Sequence, residues 1–122
     1  MKKRLVSIVT IACFLFYLFS SCNSGDSFDA RSLPTDSVTI AKGQNSFANK
    51  CNSCHNFNYD GIGPQLAGIT SENSVGWIKN FIRDPKKIIE SGDTTAKKLF
   101  EKYKTLMPSF AYLPDEEINA IL

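Results

Sequence analysis

Three reactive side chains fall within five residues, Cys51-Asn52-Ser53-Cys54-His55. Thiols at this spacing can form a redox-active pair, bind a metal, or bond covalently to a porphyrin. A thioredoxin-like redox pair requires a βαβ context, and the chain shows no such pattern. A zinc site usually needs four Cys or His ligands, whereas residues 38–122 offer only Cys51, Cys54 and His55 as good candidates. The C-x-x-C-H spacing therefore favours attachment of a c-type haem.

The order of residues in this motif suits haem attachment chemically. Two thiols three positions apart on a helical turn can add to the two vinyl groups of neighbouring haem pyrroles. The adjacent imidazole of His55 then lies under the iron as its proximal ligand. Covalent bonds keep the cofactor in place even when an iron–ligand bond breaks.

The N-terminal segment has the composition of an export signal. A basic start, 1–4, precedes an apolar run, 5–19, in which only Ser7 and Thr10 are polar, and small residues follow. The run is short for a membrane span, which needs about 20 residues. We therefore predict an export signal over residues 1–21, with an uncleaved N-terminal anchor as the alternative. An exported chain suits haem attachment, which takes place outside the bacterial cytoplasm.

The end of this segment, Leu18-Phe19-Ser20-Ser21-Cys22-Asn23, resembles a bacterial lipoprotein signal. The resemblance implies that Cys22 is lipidated and becomes the first mature residue. The alternative is a free thiol near a simple cleavage point. Residues 22–37 are polar and rich in Ser and Asp, which predicts a flexible tether of about 20–25 Å between the anchor and a domain at 38–122.

Charge and composition exclude several classes of protein. Three of the 14 basic residues and none of the 12 acidic ones lie in residues 1–21, so the remaining chain has a net charge of −1. It has no bulk electrostatic reason to bind nucleic acid. A hydrophobic share of 43% with 21% charged residues excludes wholesale disorder. The single histidine excludes mechanisms that need two imidazoles in one chain.

Helical spacing of apolar residues predicts an all-α fold. One helix precedes the motif, with an N-cap at Thr39, Asp36 or Ser37. Its predicted apolar side consists of Ile40, Ala41, Phe47, Ala48 and Cys51. Further helices are predicted over 74–83, where Pro85 stops the helix, over 94–105, and over the last residues, 113–122. Asn, Asp, Gly and Pro make 56–64 a loop.

Residues 38–122 resemble a class I monohaem cytochrome c. The residues that carry the resemblance are Gly43, Phe47, Cys51-x-x-Cys54-His55, Gly63-Pro64, Trp77, Asp84-Pro85 and Met107-Pro108. It implies a small helical domain wrapped around one covalently attached haem.

The resemblance also implies roles for single residues. The carbonyl of Pro64 would orient His55, and Trp77 would pack at the haem edge and donate its indole N–H to a propionate, with plain core packing as the alternative. Gly43, costly inside a helix, would mark the crossing of the first and last helices, or else a frayed first turn. The last helix departs from the family, which usually continues for another turn with an aromatic near this glycine. This departure puts stability in doubt.

Met107 is the leading candidate for the second axial ligand. It is the only methionine after the signal segment, and the chain has no second histidine. A thioether is a soft ligand for iron and, paired with His, raises the reduction potential. A core-filling methionine is the ordinary alternative.

The sequence thus predicts an electron carrier with no catalytic residue, lipid-anchored on the periplasmic side of the cell envelope. Its partners would be membrane-associated redox proteins such as a quinol dehydrogenase or a terminal oxidase or reductase. Eight basic residues between 79 and 104 could steer an acidic partner or form an ordinary solvated surface. The alternatives are a haem enzyme subunit with an open iron position, of peroxidase or nitrogen-oxide reductase type, and a sensor with a separate output protein.

Overall fold

Six helices joined by loops make up residues 33–122, the part of the chain described by the computed structural model. They are α1 Ser37–Lys50, α2 Ile69–Glu72, α3 Val75–Arg83, α4 Pro85–Glu90, α5 Thr94–Tyr103 and α6 Asp115–Ile121. That range contains no strand, so the predicted all-α class is confirmed.

The predicted export signal, Cys22 and the tether up to residue 32 lie outside the described residues. Between residues 33 and 122, no helix has the length and apolar character needed to cross a membrane.

Side-chain caps fix where most of these helices begin. The Asp36 carboxylate accepts a hydrogen bond from the Thr39 N–H at 2.9 Å, and this bond lowers the pKa of Asp36. Ser74 caps α3 through the Trp77 N–H at 3.2 Å. Each cap satisfies a backbone donor that the first turn of a helix leaves without a partner. The caps confirm Asp36 among the three candidates for α1, and α3 begins within one residue of the predicted start, whereas the last helix begins two residues later than predicted.

A helix that was not predicted from the sequence begins where α3 ends. Pro85 was expected only to stop α3, but it is the first residue of α4, and Asp84 is the N-cap whose carboxylate accepts from the Lys87 N–H at 3.0 Å. Proline suits this position because its fixed φ matches a helix and its missing N–H has no helical partner there. The Asp84-Pro85 pair therefore turns the chain from one helix into the next.

The first and last helices cross closely, and α1 packs mainly against α6. A Cβ at Gly43 would lie 1.7 Å from the carbonyl oxygen of Ala120, so only glycine fits at the crossing. Beside it, the buried Ser46 hydroxyl donates to the Glu117 carboxylate, which also pairs with Lys50 at 3.3 Å. These two partners lower the pKa of Glu117. Gly43 thus marks a close helix crossing and not a frayed turn.

The apolar side predicted for α1 is only partly correct. Ile40 is 43% exposed, and Ala41 is also exposed, whereas Gly43 and Ser46 are buried. Small residues prevail here because two backbones this close leave no space for larger side chains. Phe47, farther along α1, does face the interior, where it lines a cavity.

Gly43→Ala should destabilise the protein by about 2 kcal/mol or more, because the added methyl must push α1 and α6 apart. At an ordinary helical site the same change would stabilise by up to about 1 kcal/mol. Urea unfolding of the haem-loaded protein, followed by far-ultraviolet circular dichroism, measures the difference. Gln44→Ala, at the adjacent exposed position, should be close to neutral. Unchanged or increased stability in Gly43→Ala would contradict the tight crossing.

Candidate haem site

The C-x-x-C-H motif forms a tight turn at the end of α1. Cys51 is the C-cap residue, and its N–H donates to the Phe47 carbonyl at 2.9 Å. The Cys51 carbonyl then accepts from the N–H groups of both Cys54 and His55 at 3.0 Å. These bonds hold the two thiols and the imidazole on one short rigid segment.

The three side chains line one large cavity of about 380 Å³. Its walls come from every helix and are mostly apolar. Lining residues beyond the motif include Phe47, Leu66, Ile69, Ile78, Phe81, Ile82, Ile89, Leu99, Tyr103 and Leu122. The volume is in the range of binding sites for drug-sized ligands and cofactors.

The His55 imidazole is fixed on two sides. Its Nδ1 lies 2.9 Å from the Pro64 carbonyl oxygen, the contact that the resemblance implied. Because a carbonyl can only accept, Nδ1 carries the proton and Nε2 keeps its lone pair. A Cβ at Gly63 would lie 2.5 Å from the Cε1 of His55, so the backbone there packs directly on the ring. The arrangement presents Nε2 as a metal ligand in a set orientation.

The loop that carries these contacts folds back on the motif. The Gly63 N–H donates to the Cys54 carbonyl at 2.9 Å, and the Leu66 N–H donates to the Asn56 carbonyl at 2.8 Å. A Cβ at Gly61 would lie 2.9 Å from the Cys54 carbonyl oxygen. The two glycines therefore allow the loop to lie against the turn and place the Pro64 carbonyl at the ring.

Met107 lines the same cavity from a different segment. Lys104 ends α5 in the left-handed conformation, with φ 53°, and a stretch without regular secondary structure follows. The Phe110 N–H donates to the Ile82 carbonyl at 3.1 Å, which ties this stretch to α3. The structure thus brings Met107 to the cavity that also receives His55, although 51 residues separate them in the chain.

Trp77 lines the cavity too, stacked on Phe81 with ring centroids 5.0 Å apart. Its indole N–H donates to the Asp93 carboxylate at 3.1 Å. The other oxygen of that carboxylate caps α5 through the Ala96 N–H at 2.8 Å. The indole N–H thus has a protein partner in Asp93, and this bond joins α3 to the start of α5. The hydrogen bond from Trp77 to a propionate stays a prediction.

A haem fits what these residues offer. Both thiols, the oriented imidazole and the thioether open into one apolar cavity. Several apolar side chains on its walls are partly exposed, among them Phe57 at 51% and Ile62 at 56%, and a flat apolar group would cover them. Burial raises the pKa of the Cys51 thiol, which keeps it neutral among these neighbours. Within residues 33–122, no group of three or more His, Cys, Asp or Glu side chains could hold a metal ion.

Two polar residues at the site were missed by sequence reasoning. Asp93 could have been found, since it directly precedes the predicted start of α5, where an aspartate N-cap is common. Asp60 accepts hydrogen bonds from the Gln65 N–H and from the ammonium of Lys102, which lies on α5. Only the folded structure reveals that second contact, because Asp60 lies in a loop of ordinary turn composition.

Comparisons with known proteins agree with this site. The family model described as Cytochrome c matches residues 40–122. Cytochrome c from Rhodothermus marinus is 28% identical, with a TM-score of 0.64 over 72% of this chain and 74% of that chain. An engineered cytochrome c from the same organism, bound to a carbene intermediate, is 27% identical, with a TM-score of 0.63 over 72% and 74%.

A third similar structure is the cytochrome c domain of the pp3183 protein from Pseudomonas putida. It is 32% identical, with a TM-score of 0.57 over 65% of this chain and 79% of that one. A search among curated proteins gives no match. The family match contains the whole C-x-x-C-H turn, the Pro64 loop and the Met107 segment. The chain therefore belongs to the cytochrome c family, whose members are haem-based electron carriers.

Proposed function

We propose that this protein is a monohaem c-type cytochrome that carries single electrons between membrane-associated redox partners in the bacterial cell envelope. The observation that supports it most is that Met107 and His55 line one cavity with both motif thiols. His and Met together give iron two protein ligands and leave it no open position for a substrate. Haem bound here would supply an iron that alternates between the ferric and ferrous states.

The chain's own residues suit a carrier because they hold the site still. Pro64 and Gly63 fix the imidazole of His55, and thioether bonds from Cys51 and Cys54 would fix the cofactor to the same turn. The apolar walls limit the access of water. When a site keeps the same geometry in both oxidation states, electron transfer requires little reorganisation. A haem enzyme, in contrast, needs one side of its iron open, which the position of Met107 disfavours.

The distribution of positive charge supports docking of an acidic partner. Four of the eight basic residues at 79–104 form ion pairs within the protein: Lys79 and Arg83 with Asp115, Lys86 with Glu90, and Lys102 with Asp60. The other four are exposed and form no ion pair with a described residue: Lys87, Lys97, Lys98 and Lys104. Their charge on α4 and α5 is free to attract an acidic surface.

The membrane context rests on the N-terminal sequence. Cytochrome c domains are typically extracytoplasmic, which agrees with the export signal predicted at residues 1–21. Lipidation of Cys22, followed by the tether, would hold the domain within reach of redox proteins in the same membrane. A quinol dehydrogenase as donor and a terminal oxidase or reductase as acceptor suit such a position.

Met107→Ala tests the proposed ligation. The wild type, made with a haem-maturation system, should keep haem on a denaturing gel and show a six-coordinate low-spin spectrum with a methionine-to-ferric charge-transfer band. The variant should keep the covalent haem but lose that band. Its reduction potential should fall by on the order of 0.1 V, within the range of about 0.8 V that axial ligands control.

The spectrum of the variant Lys98→Ala, at an exposed site outside the cavity, should match the wild type. High-spin iron in the wild type would contradict the carrier and favour the enzyme. A colourless wild type after correct maturation would contradict haem binding itself.

The double substitution Lys97→Gln, Lys98→Gln should slow electron transfer to the oxidase of the native membranes by about two- to fivefold at low ionic strength, because two steering charges are lost. Added salt should abolish the difference. Stopped-flow oxidation of the reduced protein measures the rates. Lys42→Gln, an exposed change on α1, should have a smaller effect. Wild-type rates that do not depend on ionic strength would exclude steering.

Cys22→Ser should release the protein from membranes after cell fractionation, because serine cannot carry the thioether-linked lipid. Mass spectrometry of the wild-type N-terminus should show a lipid-modified Cys22 as the first residue. A mature N-terminus without lipid, or equal membrane binding of the variant, would contradict the anchor.

A further inference from the structure

Asp60 joins two parts of the haem site with its two carboxylate oxygens. One oxygen accepts from the Gln65 backbone N–H at 2.9 Å, and the other accepts from the Lys102 ammonium at 2.8 Å. The Tyr103 side chain also lies near enough to Asp60 to lower the pKa of its carboxyl. The Lys102 ammonium lies 4.8 Å from the centre of the Tyr103 ring. We call these four residues the Asp60 latch.

Each end of the latch continues directly to a residue of the proposed ligand set. Gln65 follows Pro64, whose carbonyl orients His55. Tyr103 is the last residue of α5 and lines the cavity, and Met107 follows four residues later. The latch therefore spans the rim of the cavity between the imidazole side and the thioether side.

The latch provides the only hydrogen bonds and ion pairs, among the described residues, between the segments 51–68 and 94–110. The other anchors of the Met107 segment lead to α3: the Phe110 N–H donates to Ile82, and the Ser109 hydroxyl donates to the Arg83 carbonyl at 2.5 Å. Without the latch, no hydrogen bond or ion pair of the described residues would join these two walls of the cavity.

We infer that Asp60 is a positioning residue that keeps the Met107 segment closed over the cavity. An external ligand can reach the iron only when Met107 leaves it and this segment moves away. In the wild type that movement also breaks the latch. Removing the latch destabilises the closed state and so lowers the free energy of the open state relative to it. A ligand that binds only the open state then binds more tightly. This inference rests on the proposed ligation of iron by Met107.

The electrostatics of the latch agree with a permanent contact. Lys102, the Gln65 N–H and Tyr103 lower the pKa of Asp60 to about 2, and the contact with Asp60 raises the pKa of Lys102. Both partners are therefore charged at neutral pH. The pair is still partly exposed, with 44% of the Asp60 side chain and 62% of that of Lys102 accessible, so a moderate effect is expected.

Binding of imidazole to the ferric holoprotein tests the latch. Imidazole displaces the methionine, so loss of the methionine-to-ferric charge-transfer band measures its affinity at fixed pH and ionic strength. Asp60→Asn and Lys102→Gln should each increase that affinity by about three- to tenfold. The double variant should bind no more tightly than the stronger single variant, because both substitutions break the same contact. Urea unfolding of each variant separates this effect from a general loss of stability.

Lys86→Gln is the matched control, because it breaks an ion pair with Glu90 of similar exposure on α4 and should leave imidazole affinity unchanged. Wild-type affinity in both latch variants, additive effects in the double variant, or an equal change in Lys86→Gln would overturn the inference. The wild-type spectrum distinguishes the two levels of the argument. A wild type without the charge-transfer band contradicts the Met107 ligation itself, whereas an intact band with unaltered variants contradicts only the latch.

Discussion

The shortage of polypeptide core is the constraint on which this structure depends. Among the described residues, the buried apolar side chains are only Val75, Ile78, Pro85, Ala96, Leu113 and Ile118. So small a set cannot stabilise a domain of this length by itself. The other inward-facing side chains surround the cavity, so a covalently held haem completes the core. The same apolar surfaces therefore bind the cofactor and stabilise the fold.

This constraint explains why the most precise packing lies at two glycines. Gly43 lets α1 and α6 cross at backbone contact, which positions the end of α1, where the C-x-x-C-H turn begins. Gly63 lets the following loop lie against the ring of His55. One glycine fixes the motif relative to the fold, and the other fixes the imidazole relative to the motif. A side chain at either position would displace the ligand that the cofactor requires.

Sequence reasoning succeeded where the cause is local. The attachment motif, the N-cap candidate Asp36 and the helix predicted over 74–83 all depend on residues a few positions apart. It failed where contacts join distant segments. The bond from Trp77 to Asp93 and the latch from Asp60 to Lys102 depend on how helices pack, and periodicity carries no information about that. Pro85 was a local signal that was misinterpreted. Proline is common at the first position of a helix, but Pro85 was expected only to stop the preceding helix.

In the proposed carrier, the segment that contains Met107 must stay over the cavity, because a haem enzyme needs one side of its iron open. The engineered Rhodothermus marinus protein binds a carbene intermediate, so a cytochrome c scaffold can accommodate a reacting group. Fold alone therefore does not decide function, and the residues over the iron do. In this chain the segment with Met107 is tied to α3 by backbone and hydroxyl hydrogen bonds, and to the His55 loop by one carboxylate. The tie to the His55 loop is partly exposed and depends on few atoms, so ligand access can change there without repacking the core.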